Sequence, residues 1–261
     1  MLSRAGFPGF VGMPAAVAGG PAYDADADAL FARMAVQPSD AEKGYYNTLI
    51  LALKAAGTWD LRQSYVSLWS HTTQAALLNL KGTSFTPAVA GGAPSFTANQ
   101  GYTFDGVDDS LSTAWAGADA PQDAVSIDFW FHDTAAFVGN VCGNGSNIRF
   151  NPRTTGGSDF MTGRLNNGGS STATVATAAG LSGMQRTGAG TIQYWRDGAQ
   201  VGTDVANTSN AVSASALLIG ANGAAFQASR CGFYALGGVL TAPQRAAEFA
   251  AIDAYRAARG A

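Results

Sequence analysis

Residues that hold transition metals or act as nucleophiles are scarce in this chain. Cys142 and Cys231 are its only cysteines, and His71 and His132 are its only histidines. This scarcity excludes a cysteine-based zinc site, a disulfide framework and a multi-histidine metal centre within one chain. We expect Cys142 and Cys231 to be buried free thiols, although the sequence leaves a pairing between them open.

Charged residues are also few: they make up 13% of the 261 residues, against 47% for hydrophobic residues. The surface must therefore be covered largely by Ser, Thr, Asn, Gln and Gly. The net charge of −3 supplies no basic field, so we expect no nucleic-acid partner. With 33 glycines, the composition favours short strands joined by tight turns, as in secreted or virion-surface β proteins.

The N-terminus lacks an uninterrupted apolar run. Gly and Pro break its first twenty residues too often for a signal-peptide core or a membrane-spanning helix, so we expect no membrane insertion. We predict an extended arm over residues 1–21. Two alternatives stay open: the arm is disordered, or it lies on a neighbouring subunit and buries Phe7, Phe10, Val11 and Met13.

Residues 22–82 have the pattern of a small helical segment. Acidic residues within 24–28 favour the first turn of one helix. Ser39 and Glu42 have the spacing of a capping box, which predicts the start of a second helix, and Gly57 is placed to end it in a left-handed conformation. We predict a further short helix through Leu61, Tyr65, Leu68 and Trp69.

From about residue 83 the pattern changes to the period-two alternation of strands. Val125 to Phe131 is the clearest strand, with alternate apolar side chains on one face and Ser126, Asp128 and Trp130 on the other. Asp197 and Gly198 separate two strand-like runs and predict a hairpin turn. Further strands are predicted over 217–220 and 231–236, and Thr241 with Gln244 predicts the cap of a C-terminal helix.

In this order, four segments resemble the laminin G-like, concanavalin A-like lectin fold over residues 95 to 257. The resemblance implies a mainly β chain: a concanavalin A-like antiparallel β-sandwich (jelly roll) over 83–261, preceded by the small α-helical segment and closed by a short C-terminal helix. The segments are Gly101 to Leu111 with its Phe-Asp-Gly and acidic pair, Val125 to Phe131, Tyr194 to Gly198, and Gly232 to Gln244.

The helical segment ending in Ala75 to Gly82, followed by such a sandwich, resembles virion structural proteins of tailed bacteriophages and prophages. That resemblance implies a homo-oligomeric component at the surface of a phage particle, or otherwise an extracellular protein. It also implies contacts with other virion proteins through residues 1–82 and with a cell-surface polysaccharide. A free carbohydrate-binding module is the alternative.

Glycosidases of this fold use two glutamates at a Glu-x-Asp-x-Glu spacing on one strand, and this motif is absent. Glu42 and Glu248 are the only glutamates, and both fall in predicted helices. Asp128 and Asp133 would face opposite sides of a strand. No Gly-x-Ser-x-Gly elbow occurs either. We therefore expect no catalytic residues and no enzymatic activity, with an Asp-based glycosidase as the less favoured alternative.

Two sets of residues are candidates for binding. Laminin G-like domains often hold calcium at the sandwich rim, and Asp105, Asp108 and Asp109 offer hard oxygen ligands, although turn and cap roles explain them as well. No other cofactor is expected. Glycan binding needs aromatic faces and polar side chains. The candidates of those types are Trp115, Asn144, Asn147, Arg149, Asn166 and Asn167.

Overall fold

The computed structural model describes residues 22–154 and 159–261, which form three layers. Two mainly antiparallel sheets pack face to face, and helices cover the outer face of one of them. The predicted fold class, a β-sandwich with helices before and after it, is confirmed. The predicted arm over residues 1–21 lies outside the described residues.

The helices are α1 (Ala25–Phe31), α2 (Asp40–Ala55), α3 (Thr73–Ala76) and α4 (Ala242–Arg259). Their ends follow the predicted caps. Ser39 and Glu42 form a reciprocal capping box at the start of α2, and Thr241 and Gln244 form one at the start of α4. Gly57, with φ of 66°, follows the end of α2.

The strands follow one another along the described chain, and most are short. They are β1 (Arg62–Ser67), β2 (Ala88–Gly91), β3 (Ser95–Thr97), β4 (Gly101–Phe104), β5 (Ser110–Ala116), β6 (Val125–Phe131), β7 (Cys142–Gly143), β8 (Ile148–Thr154), β9 (Phe160–Leu165), β10 (Ser171–Thr174), β11 (Gly180–Gly188), β12 (Thr191–Arg196), β13 (Ala199–Ala206), β14 (Ala216–Ile219), β15 (Ala221–Asn222), β16 (Ala225–Phe226) and β17 (Ser229–Gly237).

We call the two sheets A and B. Sheet A has the strand order β13-β12-β11-β6-β17-β4-β3, and β1 also pairs with β17. Sheet B has the order β10-β9-β8-β7-β14-β5-β2, and the small β15–β16 hairpin joins it beside β7. The chain crosses repeatedly between the two sheets. Loops that are far apart in sequence therefore meet at the ends of the sheets.

Alternation along β6 separates two cores. Val125, Ile127, Phe129 and Phe131 pack between the sheets with residues of sheet B such as Phe150. Trp130 lies on the other face, in a second apolar cluster under the helices. The predicted face assignment of this strand is confirmed, and every residue of β6 is buried because both faces are covered.

The second cluster fills the space between the helices and sheet A. Its members come from α1, α2, α4 and the outward face of the central strands. They include Leu30, Tyr46, Leu49, Ile50, Leu53, Trp69, Phe233, Ile252 and Tyr255.

The helix predicted through Leu61 and Trp69 is wrong, since Arg62–Ser67 is a strand paired antiparallel with β17. Val66 and Leu68 enter the core between the sheets, whereas Tyr65 and Trp69 enter the cluster under the helices. β1 is buried on both faces although most of its residues are polar, so its side chains do not show the apolar-polar alternation of a half-exposed strand. Sheet A therefore takes one strand from the region predicted to be helical, 22–82.

Candidate functional site

An open cleft lies where three loops meet at one end of sheet B. The β7–β8 turn (144–147), the β9–β10 turn (166–170) and the long β13–β14 loop (207–215) enclose it. Its volume is about 390 Å³, within the usual range for small-ligand sites. It is lined by Gly145, Ser146, Asn147, Arg164, Asn167, Gly168, Asn210, Ala211, Val212 and Ser213.

Asparagines build the first turn and tie it to the long loop. Asn144 Oδ1 accepts hydrogen bonds from the backbone N–H groups of Ser146 at 3.0 Å and Ile148 at 3.1 Å. Asn147 Nδ2 donates to the carbonyl oxygen of Ala211, which lies 64 residues further along the chain. Asn144 therefore shapes the turn, while Asn147 lines the cleft.

Asparagines also hold the second turn. Asn166 is fully buried with φ of 57°, and its Nδ2 donates to the Gln122 carbonyl at 3.0 Å. Its own carbonyl accepts from Asn210 N at 2.7 Å, which joins this turn to the long loop. Asn167 Oδ1 accepts from Leu165 N at 2.7 Å. Buried side-chain bonds to the backbone thus fix both cleft turns before any ligand arrives.

The cleft region also holds polar atoms that the protein leaves without a partner. Of the 12 buried unpartnered side-chain atoms among the described residues, four lie here. Native proteins leave few such atoms, and two of these four, on Asn147 and Arg164, belong to residues that line the cleft. The four atoms are Asn144 Nδ2, Asn147 Oδ1, Arg164 Nε and Asn166 Oδ1.

Arg149 and Arg164 lie on the outer face of sheet B, beside the cleft. They are direct partners in the β8–β9 register, and their neighbours Ile148 and Leu165 point into the core. Burial lowers the pKa of Arg149, and the charge of Arg164 lowers it further.

The structure does not bring Trp115 to this site. Trp115 is fully buried between the sheets, and its indole N–H donates to Gln63 Oε1 at 2.7 Å. Its ring has no free face for a sugar, so the stacking role predicted for it is corrected. Trp130 and Trp195 are buried as well, and no aromatic side chain lines the cleft as far as the chain is described.

The three aspartates proposed for calcium do come together. Oxygen atoms of Asp105, Asp108 and Asp109 lie within 4.8 Å of one another, a spacing and a donor chemistry that suit calcium. Several of these oxygens already accept backbone N–H groups: Asp109 binds Ala93 N at 2.8 Å and Asp105 binds Val107 N at 2.7 Å. The turn role is therefore established, and calcium stays a prediction.

Two acidic residues, Asp128 on β6 and Glu248 on α4, lie away from the cleft, between α4 and sheet A. Asp128 and Glu248 are almost fully buried and bind Arg62 Nη2 at 2.7 and 2.6 Å. Arg245 forms a second ion pair with Asp128, and Tyr65 donates to Glu248 Oε1 at 2.7 Å. The cluster has two positive and two negative charges, which balance one another as buried charges require. Glu42 lies on α2 and Glu248 lies on α4, as predicted.

The cysteines and His132 have structural roles. Cys142 and Cys231 are free and buried, as predicted. His132 Nε2 accepts from the Trp69 indole at 2.9 Å. Burial lowers the pKa of His132 to about 4, and the charges of Arg230 and Arg256 act in the same direction. His132 is therefore neutral at physiological pH.

Sequence reasoning missed Arg164, Asn210, Ser146 and Ser213, which line the cleft. For Arg164 a signal existed, because alternation along Phe160–Leu165 places it on the face opposite Met161 and Leu165. For Asn210 and Ser213 none existed, because the path of the long loop depends on contacts with distant turns.

No family model matches the chain, and no curated protein sequence matches it. Among the described residues, no helix is both long and apolar enough to span a bilayer.

Solved structures of similar fold do exist. Domain 4 of AbnA, a GH43 extracellular arabinanase from Geobacillus stearothermophilus solved with arabinotriose, aligns with a TM-score of 0.50 and 12% identity, over 71% of this chain and 96% of that domain. The receptor binding domain of botulinum neurotoxin mosaic serotype C/D aligns with a TM-score of 0.52 and 8% identity, over 73% of this chain and 51% of the other. The binding domain of Paraclostridial Mosquitocidal Protein 1 aligns with a TM-score of 0.50 and 8% identity, over 73% of this chain and 52% of the other.

This chain thus spans about half the length of the last two binding domains. At identities of 12% or less, the similarity shows the fold alone, a two-sheet β-sandwich. The laminin G-like assignment and the phage origin stay predictions.

Proposed function

We propose that this chain is a non-enzymatic glycan-binding module and that the cleft at the end of sheet B holds the sugar. The observation that carries this proposal is the convergence of three loops on an open cleft lined by side-chain amides, hydroxyls and a guanidinium. These groups donate to and accept from sugar hydroxyls, and the rigid turns keep them in place. The AbnA domain of similar fold was solved with arabinotriose, which agrees with a sugar ligand.

The burial of the acidic residues supports a role in binding and not in catalysis. Asp128 lies beneath α4 and Glu248 lies on the buried face of α4. Both are paired with arginines, so neither reaches a sugar in the cleft. The described residues that line the cleft include no carboxylate that could act as an acid or a nucleophile.

The described lining residues include no aromatic side chain, so we expect each cleft to rely on hydrogen bonds and to bind weakly. Several copies on one particle would raise the overall affinity through avidity. This fits the further proposal that the protein is a homo-oligomeric structural component of a phage virion, held to other virion proteins through residues 1–82 and directed at a cell-surface polysaccharide. A free extracellular carbohydrate-binding module is the alternative.

A glycan array tests the sugar site with two matched variants. Asn147→Ala removes a cleft amide, whereas Asn140→Ala removes an amide from the loop that enters β7 from the opposite side. We expect the wild-type chain and Asn140→Ala to bind the same glycans. Asn147→Ala should lose most of the array signal for those glycans. Binding unaffected by Asn147→Ala, or the absence of any bound glycan, would contradict the proposal.

Particle fractionation tests the virion proposal separately. We expect mass spectrometry of purified phage particles to detect the chain in stoichiometric amounts. A chain that is absent from the particles and soluble as a monomer would refute the virion role and leave the free module.

A further inference from the structure

Two arginines beside the cleft face each other without a carboxylate partner. Arg149 and Arg164 are cross-strand neighbours, and like charges in that position destabilise a sheet. Neither belongs to any ion pair among the described residues. Residues 1–21 and 155–158 contain no aspartate or glutamate that could serve as the partner.

Most donors of these guanidinium groups also have no hydrogen-bond partner within residues 22–154 and 159–261. Arg149 donates through Nη2 to the Ser170 hydroxyl, and Arg164 donates through Nη1 to the Ser146 carbonyl at 3.4 Å. A guanidinium has five N–H donors. Arg164 Nε is shielded from water and has no partner among the described residues, which is costly for a buried donor.

We propose that the glycan of this cleft is acidic and that Arg164, with Arg149 beside it, binds the carboxylate of the sugar. The inference rests on the proposed function, because it assumes a glycan in the cleft. The planar guanidinium matches a carboxylate through two parallel hydrogen bonds, and its charge persists at every physiological pH. The sugar hydroxyls would then bind to other residues of the cleft lining, namely Asn147, Asn210 and Ser213.

The net charge of the whole chain also supports binding at the arginine pair. At a net charge of −3, the protein as a whole offers no general attraction to a polyanion. A carboxylate sugar is therefore favoured at the arginine pair specifically. Its binding should weaken as salt rises, because the site is open to solvent.

The test follows the Nε–H signals of the arginines by NMR in the full chain. The probes are glucuronate and N-acetylneuraminate, with glucose as the neutral match and glucose 6-phosphate as the other oxyanion. We expect both carboxylate sugars at millimolar concentration to shift the Arg164 signal, and glucose to leave it unchanged. A response to glucose 6-phosphate and to neither carboxylate sugar would overturn the carboxylate assignment.

Two variants make the test specific. We expect Arg164→Gln to weaken glucuronate binding about tenfold or more, which corresponds to about 1.4 kcal/mol. Arg153→Gln is the matched control, because Arg153 lies on the same strand as Arg149 but is already paired with Asp159. It should bind like wild type. Circular dichroism checks that both variants fold.

The outcomes separate this inference from the proposed function. Neutral glycans that bind through Asn147 and ignore Arg164→Gln would overturn the acidic ligand and leave the cleft as a sugar site. The absence of any response of cleft signals to every sugar would overturn both.

Discussion

Among single residues, Asp128 is notable because it forms ion pairs with two buried arginines. It lies on the outward face of β6 and binds Arg62 at 2.7 Å and Arg245 on α4, so one carboxylate joins the helical layer to sheet A. Ser126 and Gln185 complete the network as further partners of Arg245 at 2.9 and 2.8 Å. Removing one charge leaves the others buried without compensation.

Asp128→Asn should therefore lower the free energy of unfolding by about 3–5 kcal/mol, measured by urea denaturation. Asp159→Asn is the matched control, because Asp159 is exposed and pairs with Arg153 at the surface. It should cost less than about 1 kcal/mol. Equal effects of the two substitutions would show that the buried cluster contributes no more than a surface pair.

The same residue should make stability depend on pH in the acid range. Burial alone would raise the pKa of Asp128, but the charges of Arg245 and Arg62 outweigh it and hold this pKa below its ordinary value. A lowered pKa in the folded state contributes stability above the unfolded value of about 4, and this contribution is lost as pH falls through the folded value. Urea denaturation of wild type and Asp128→Asn between pH 7 and pH 2 should show the difference between them shrinking below pH 4. A constant difference would contradict this assignment.

The cluster of Asp105, Asp108 and Asp109 leads to a prediction about calcium. If Asp105, Asp108 and Asp109 hold calcium, millimolar calcium chloride should raise the Tm of the wild type, and Asp108→Asn should abolish that rise. Magnesium chloride at the same concentration is the control. Identical Tm values with and without calcium would remove this site.

Individual residues also mark the limit of sequence reasoning. Trp115 was a reasonable candidate for stacking on a sugar, yet it is fully buried in the core between the sheets. Ala114 beside it has φ of 56°, which breaks the regular alternation of β5. A sequence pattern does not reveal such an irregularity.

Among the secondary-structure elements, the hairpin between β12 and β13 was predictable because its turn depends on two adjacent residues. Asp197 and Gly198 both have positive φ, 49° and 77°, as a two-residue turn of this kind requires. The turn also packs against α4: a Cβ on Gly198 would come within 2.9 Å of Ala246 Cα.

Gly198→Ala should accordingly lower the free energy of unfolding by about 1–2 kcal/mol from backbone strain, with a further loss from the contact with α4. Gly190→Ala is the control, since Gly190 lies in the neighbouring turn with nothing within 4 Å of its Cβ position. Urea denaturation should show a smaller effect for that control. A larger loss in Gly190→Ala would contradict the role assigned to the Asp-Gly turn.

Other elements depend on distant partners, and there the local signals failed. The caps of α2 and α4 were predictable because each depends on residues three positions apart. β1 was not, because its conformation is set by pairing with β17, more than 160 residues later in the chain. β1 also buries polar residues such as Arg62 and Ser64, so its sequence lacks the alternation that marks a strand with one exposed face.

At the scale of the whole molecule, the three layers explain both the covered acids and the open cleft. The helices cover sheet A and enclose Asp128 and Glu248, whereas the loops at the end of sheet B stay accessible. The sequence predicted the sandwich and two of the asparagines that line the cleft, Asn147 and Asn167, whereas the predicted Asn144 and Asn166 do not line it. It did not predict their convergence, because contacts such as Asn147 with Ala211 link segments 64 residues apart.

The most direct measurement is amide chemical-shift mapping of the full chain during titration with the strongest glycan from the array. We expect the perturbed amides to fall within 144–147, 164–170 and 207–213, the three segments around the cleft, and to include Arg164. Perturbations confined to the helices or to the opposite end of the sandwich, or no perturbation at saturating glycan, would contradict the account.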